Sequence, residues 1–281
     1  MAIAARPAVT YTSGMPEPSR AAAREHRRSL RSALLDGLEA IVGRIYDAIC
    51  GTHPNVRCLH FQWLAVRVLY RDLRDILAGI RGRVLDVGCG GKPYAPWLRQ
   101  AEKDRIVGID VVPGPGVDVV VSEGGRWPFP DGSFDAVLCT QVLEHVADVG
   151  GMLEEIHRVL APSGTVIASV PFLYPEHGAP RDFHRFSRHG IVRRFTARFE
   201  IAEARTEGGF GSTACMLGLA WLHTAWNRRF PTRVVKLPLL PAWLAATLAL
   251  NGLGLLLDRL DGTGAFYSNV ILVARKRATS T

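Results

Sequence analysis

Between Asp86 and Gly91 a carboxylate and three glycines follow the apolar run Val84, Leu85 and Val87, an order suited to holding a polar or anionic cofactor. Glycine at 88 and 90 permits positive φ and removes the Cβ, so the N–H groups of such a turn, that of Cys89 included, can form a nest around a ligand. A turn of this kind is expected to open a helix, whose N-terminus adds to the nest. Asp110 ends the next apolar strand, Ile106-Val107-Gly108-Ile109, and a carboxylate there can accept both ribose hydroxyls of a nucleoside. Farther along, His145 and the run from Tyr174 to Phe186 bring together groups that move protons or bind anions, among them His177, Asp182, His184 and Arg185.

A dinucleotide fingerprint would need a third glycine where this chain has Pro93, which disfavours a nicotinamide or flavin site. The segment 83–92, Arg-Val-Leu-Asp-Val-Gly-Cys-Gly-Gly-Lys, instead resembles the first motif of class I S-adenosylmethionine-dependent methyltransferases, a strand ending in Asp-x-Gly-x-Gly. Downstream, Trp127–Asp135 resembles that family's "LPFPDGSFD" segment, Val142–Val146 its "VLEHV", and Leu153–Gly164 its "LEEIHRVLKPGG". These pieces stand in family order over residues 83–171, and Gly91-Lys92-Pro93-Tyr94 is similar to the branch acting on small molecules and glycoconjugates, the type 11 methyltransferases.

The resemblance implies S-adenosylmethionine as cofactor, leaving as S-adenosylhomocysteine. It implies that Asp86 orients the glycine loop, that Gly88, Cys89 and Gly90 lie against the methionine end, and that Asp110 takes the ribose. It places Val111 against adenine, with Glu123 and Gly124 near the adenine amino group, where the family usually has Asp. Thr140 and Gln141 follow the fourth strand and should edge the cleft, because ligands sit at the carboxyl ends of such strands. His145, His177 and Asp182 are the expected catalytic groups, and Tyr174, His184 and Arg185 the expected substrate contacts. A bland alternative stands beside these: His145 bonds to the backbone, the loop residues pin the loop, and Asp182 caps the next helix. No metal is expected, because Glu176, His177, Asp182 and His184 form neither a His-x-x-x-His nor a Glu-x-x-His arrangement.

The formal charge of +8 admits nucleic acid, an anionic membrane or an acidic substrate, but no nucleic-acid-binding signature accompanies it, so no nucleic-acid partner is expected. Five cysteines without Cys-x-x-Cys spacing fit a reduced, cytoplasmic protein. With 48% apolar residues the chain can fill an α/β core with helices on both sheet faces.

Five regions are expected. Residues 1–28 form a flexible basic arm lacking the apolar run of a signal peptide. Residues 29–80 form two cap helices, at 29–50 (Leu30, Leu34, Leu38, Ile41, Ile45) and 56–80, which cover either the cleft or one sheet face. Residues 81–206 hold the cofactor core, with strands at 83–87, 105–110, 117–121, 134–139, 165–170 and near 199–206 and a helix at 184–196. An apolar insertion, 207–266, precedes a closing strand and basic tail, 267–281. The strand–helix alternation predicts a doubly wound parallel sheet, and the resemblance implies seven strands, mostly parallel, with an antiparallel last strand.

Leu237–Leu257 has no formal charge and is long enough to span a bilayer, with Arg228, Arg229, Arg233 and Lys236 before it. One crossing would strand the last strand across the membrane, and Pro238, Pro241 and Asn251-Gly252 interrupt a single helix. Two readings remain: buried helices of a substrate lid, or a re-entrant or surface-lying element that contacts the inner face of the membrane. The expected function is methyl transfer to a small hydrophobic, lipid- or sugar-linked acceptor in bacterial secondary metabolism or glycoconjugate modification, with oxygen the first choice of atom. The alternative is a membrane-associated cofactor-binding partner without catalysis of its own.

Overall fold

The computed structural model describes residues 20–101, 105–229 and 237–277. Seven strands form one sheet: β1 (Val84–Val87), β2 (Ile106–Asp110), β3 (Val119–Val120), β4 (Phe134–Thr140), β5 (Leu160–Pro171), β6 (Phe199–Glu207) and β7 (Asn269–Lys276). Their order is β3-β2-β1-β4-β5-β7-β6. The first five run parallel, and β7 lies antiparallel between β5 and β6, pairing Ile167 with Val273 and Ala204 with Leu272. The sheet therefore has the expected form, with its chain reversal just right of β1 at β4.

Successive side chains of a strand point to opposite faces, and each face has its own core. Leu85, Val137, Cys139, Val166, Val270 and Leu272 meet α3 (Val149–Val159) and α4 (Arg188–Thr196) through Leu153, Ile156, Ile191 and Phe195. Val84, Leu138, Ile167 and Ile271 face the other way, against Leu69, Leu73 and Leu77 of α2 (Trp63–Ala78) and Met216 of α5 (Phe210–Arg229). Thus α2 covers a sheet face.

Four expectations change. The glycine turn opens no α-helix: Pro93 and Pro96 restrict the chain, and only a 3-10 turn, Ala95–Trp97, follows. The third strand shrinks to two residues, and α4 begins at Arg188 rather than 184, capped by Ser187, whose hydroxyl accepts the Gly190 N–H. A helix, α1 (Arg20–Cys50), starts inside the segment expected to be a flexible arm; residues 1–19 of that arm lie outside the described residues, as do 278–281 of the basic tail. On α1, Leu34, Leu38, Ile41 and Ile45 face solvent, while Val42 and Cys50 are buried.

The insertion forms a hairpin of α5 and α6 (Leu240–Leu260), entered by a 3-10 turn at Leu237–Leu239. Pro241 sits in the first turn of α6, where its missing N–H costs nothing, and Asn251-Gly252 does not interrupt the helix. The pairing of β7 with both β5 and β6 excludes a single membrane crossing by α6, as that would separate β7 from its partners. Nor are these buried lid helices. The packed stripe of α6 is Thr247, Asn251 and Gly254, while Leu248, Leu253, Leu256 and Leu260 are exposed. The Asn251 amide donates to the carbonyls of Cys58 (2.6 Å) and His60 (3.3 Å), and the Asp258 carboxylate accepts the Ser212 N–H at 2.8 Å.

Candidate functional site

The site forms where β1, β2, β4 and β5 end. Gly88 and Gly90 adopt φ of 64° and 48°. A Cβ on Gly88 would stand 2.5 Å from the Val142 side chain, whereas one on Gly90 would meet nothing within 4 Å. The first glycine lets β1 pass the turn after β4, and the second fronts open space where a ligand can approach the backbone. The Asp110 carboxylate accepts the Gly90 N–H at 3.1 Å and the Val112 N–H at 3.0 Å. Each carboxylate oxygen keeps further acceptor capacity for ligand hydroxyls. Val111 presents an exposed apolar surface next door.

Asp86 lies at the base of this turn, only 3% exposed. Burial pushes its carboxyl up to about 7, with Lys92 opposing the rise and Asp110 adding to it. A buried carboxylate of this kind gains most from a cation arriving beside it. Lys92 is itself committed, donating to the Asp118 carboxylate and to the Ile106 carbonyl at 3.1 Å. Thr140 is buried at the end of β4. Gln141 follows with φ of 55°, held by its N–H to the Ser169 carbonyl at 2.8 Å and its amide to the Ser169 hydroxyl at 3.2 Å. Such left-handed backbone in a non-glycine residue is strained and persists where the surroundings enforce it. Glu123 is half exposed and pairs with Arg181 at 3.5 Å, bringing the loop after β3 to the loop after β5, while the neighbouring Gly124 has no atom within Cβ reach.

After β4, a turn at Leu143–His145 carries Glu144 and His145 beneath the loop that holds His177. The imidazoles of His145 and His177 lie edge to face, 4.9 Å between centroids. His145 Nδ1–H donates to the Arg181 carbonyl at 2.5 Å, and His177 Nδ1 lies 3.2 Å from the Pro175 carbonyl and 3.4 Å from an Arg185 Nη2. Both Nε2 atoms then face the Glu144 carboxylate, at 3.8 and 4.0 Å. Burial lowers the His177 pKa and raises that of Glu144 to about 7. Tyr174 is partly buried with its ring 5.2 Å from His177, and its hydroxyl accepts from the Gln62 amide of the α1–α2 connection.

Three expected roles change. Asp182 accepts two N–H groups from Arg185, the second at 2.6 Å, and the His177 N–H at 2.8 Å; the guanidinium holds its pKa well below the usual carboxylate range. Its carboxylate holds Arg185 and the His177 backbone in place, and Ser187 rather than Asp182 caps α4. Arg185 donates to Asp182 and to the carbonyls of Tyr174, Pro175 and His184, with an Nη2 also 3.4 Å from His177 Nδ1, and so ties the loop together. His184 packs on Phe183 and on Phe186, a residue of the α3–α4 core, with Nε2 buried there. Sequence reasoning also missed Glu144 as a site residue. The signal available was a carboxylate set between apolar residues and a histidine.

A methyltransferase domain model matches residues 85–168. A ubiquinone biosynthesis O-methyltransferase of Pseudomonas aeruginosa is 30% identical over 202 residues, covering 61% of this chain and 79% of that protein. The chain belongs to the class I S-adenosylmethionine-dependent methyltransferases. A methyltransferase of the same name from Azorhizobium caulinodans is 35% identical over 119 residues, covering 37% of this chain and 46% of its own length. An uncharacterized 37.1 kDa transposon protein of Streptomyces fradiae is 30% identical over 146 residues, covering 45% and 42%. The chain thus spans less than half the length of these last two relatives. Among solved structures, a 1,6-didemethyltoxoflavin-N1-methyltransferase of Burkholderia thailandensis with bound S-adenosylhomocysteine aligns over 95% of this chain and 94% of that one, at 17% identity and a TM-score of 0.46. The cofactor of this methyltransferase family is S-adenosylmethionine, and the residues here fit it: an open glycine turn, a ribose-type carboxylate at Asp110, an exposed Val111 and a buried carboxylate, Asp86, suited to a cation.

Proposed function

We propose that the protein catalyses methyl transfer from S-adenosylmethionine to an oxygen of a small, apolar, membrane-borne acceptor. The cofactor, when bound, supplies an electrophilic methyl on a sulfonium. The protein holds it through the turn at Gly88–Gly90, Asp86 and Asp110, and presents the acceptor from the His145–His177 side. Placement in line does most of the catalytic work. The names of the two ubiquinone-pathway relatives favour oxygen.

The inverted patterning of the α5–α6 hairpin carries the apolar, membrane-borne part of this reading. On α6, Thr247 and Asn251 face protein while Leu248, Leu253, Leu256 and Leu260 face out, and Leu217, Trp221 and Leu222 of α5 extend that exposed apolar surface. Neither Phe210–Asn227 nor Leu237–Leu257 contains Asp, Glu, Lys or Arg, whereas 228–236 carries three arginines, one lysine and no acid. The exposed apolar side chains suit the interface of a bilayer, and the basic composition of 228–236 favours an anionic one. Beside it a cavity of about 320 Å³ opens between α1, α5 and α6, lined by Tyr46, Phe61, His223, Trp226 and Trp243. The connection Gly51–Gln62 links it to the site: Phe61 stacks on His223 at 4.2 Å, and Gln62 reaches Tyr174. An acceptor with an apolar tail fits this layout.

Calorimetric titration with S-adenosylhomocysteine, alongside flotation of the full chain with phosphatidylglycerol vesicles, tests both halves. Absence of heat removes the methyl-transfer reading. Binding of the nucleoside without flotation removes the membrane-borne acceptor.

A further inference from the structure

We infer that Glu144, His145 and His177 form a binding site for a divalent transition-metal ion on the acceptor side of the cleft. Their ligand atoms lie within 4.8 Å of one another. Glu144 has a side-chain exposure of 0%, and neither carboxylate oxygen has a hydrogen-bond partner. An unpaired buried carboxylate is costly, and ion coordination is one way to satisfy it. The two histidines are already set as ligands. His145 gives Nδ1–H to the Arg181 carbonyl, which turns its Nε2 lone pair toward Glu144, and the His177 ring, its Nδ1 set between the Pro175 carbonyl and an Arg185 Nη2, presents Nε2 to the same carboxylate. The Nε2–oxygen separations of 3.8 and 4.0 Å are too long for hydrogen bonds. Metal bonds of about 2.0–2.2 Å would draw neighbouring ligand atoms to roughly 3 Å, a side-chain shift below about 1 Å.

The surroundings hold this triad in place. The Glu144 carbonyl accepts the N–H groups of Phe183 (2.8 Å) and His184 (3.2 Å), which docks the loop after β5 onto the turn after β4. Asp182 accepts the His177 N–H. The ligands thus come from two segments joined by the fold, which is why spacing along one helix gave no sign of them. Two imidazoles and one carboxylate select Zn(II), Mn(II), Fe(II) or Co(II) over calcium and leave open coordination positions. An acceptor hydroxyl taking one of them would release its proton to bulk water and remain on the ion as an oxyanion.

The site can be tested without methyl transfer. EDTA-treated, dialysed full-length protein is titrated with Co(II) and followed by its visible d–d absorption. One ion per chain is expected, and His177→Asn and Glu144→Gln should each weaken binding roughly 10-fold or more. Calorimetry with S-adenosylhomocysteine on the same variants should give wild-type affinity, which shows that they are folded. Folded protein that takes up no cobalt would overturn the inference, as would unchanged uptake in the His145→Asn/His177→Asn double variant. Either result leaves the cofactor reading untouched, because that rests on nucleoside binding alone.

Discussion

The Asp110 carboxylate reaches back 20 residues to accept the Gly90 N–H at 3.1 Å, tying the end of β2 to the glycine turn after β1. The bond sets the nest and the ribose-type carboxylate in one rigid frame before any ligand arrives. Asp110→Ala removes both the ligand contact and this tie. S-Adenosylhomocysteine affinity should fall by roughly 1–3 kcal/mol, the cost of one or two hydrogen bonds. Calorimetry reads this directly, and unchanged affinity would place the ribose elsewhere.

Asp86 makes cofactor binding depend on pH. Its folded pKa is raised by burial to about 7, so below that value the free protein holds it protonated. A cationic methionine end favours the ionised form, so binding should expel a proton near pH 6 and none near pH 8. Affinity should rise with pH up to about 7 and then level. The same raised pKa destabilises the free fold: the unfolded chain ionises first, so Asp86 withdraws stability as pH climbs from the ordinary carboxylate range through about 7. Asp86→Asn should therefore melt higher at pH 8 while binding more weakly. Proton release measured in buffers of different ionisation enthalpy decides the first point, and thermal melts the second.

The sheet was legible because its signals are local. The apolar runs at Val84–Val87, Val137–Cys139 and Val270–Leu272 read directly as strands buried on both faces, and the motif order fixed their succession. The misread parts depend on contacts between distant segments. That Arg185 spends its donors on Asp182 and three loop carbonyls could not be seen in a pattern that equally suits an anion-binding loop. The burial of Glu144 arises only when the loop after β5 closes over the turn after β4. On α6 the composition announced an apolar helix, yet which side packs was decided by Asn251 reaching the carbonyls of Cys58 and His60 on a connection nearly two hundred residues earlier.

That inversion of α6 makes a sharp contrast between variants. Trp221 is 69% exposed and Leu253 45% exposed, so Trp221→Asp with Leu253→Asp should change stability by less than about 1 kcal/mol. Vesicle flotation should nevertheless fall steeply, since two charges enter the layer that would meet acyl chains. Asn251→Leu should do the reverse: it leaves two carbonyls without their donor and costs about 1–3 kcal/mol, with the lipid-facing surface intact. Loss of flotation only in the Asn251 variant would show that the hairpin's exterior has no part in lipid contact.

The Asp182–Arg185 pair separates positioning from proton transfer. Arg185→Lys replaces a two-pronged contact by a point charge and cannot also reach the carbonyls of Tyr174 and Pro175. Turnover should drop at least about 10-fold as His177 loses its fixed place, with S-adenosylhomocysteine affinity unchanged because the glycine turn lies on other strands. Asp182→Asn should lower turnover in the same way yet keep the acid limb of the pH–rate profile where it was. The Arg185 guanidinium already holds Asp182 ionised well below any working pH, so its charge does not titrate there. A shift or loss of that limb in the Asn variant would return Asp182 to the role of general base.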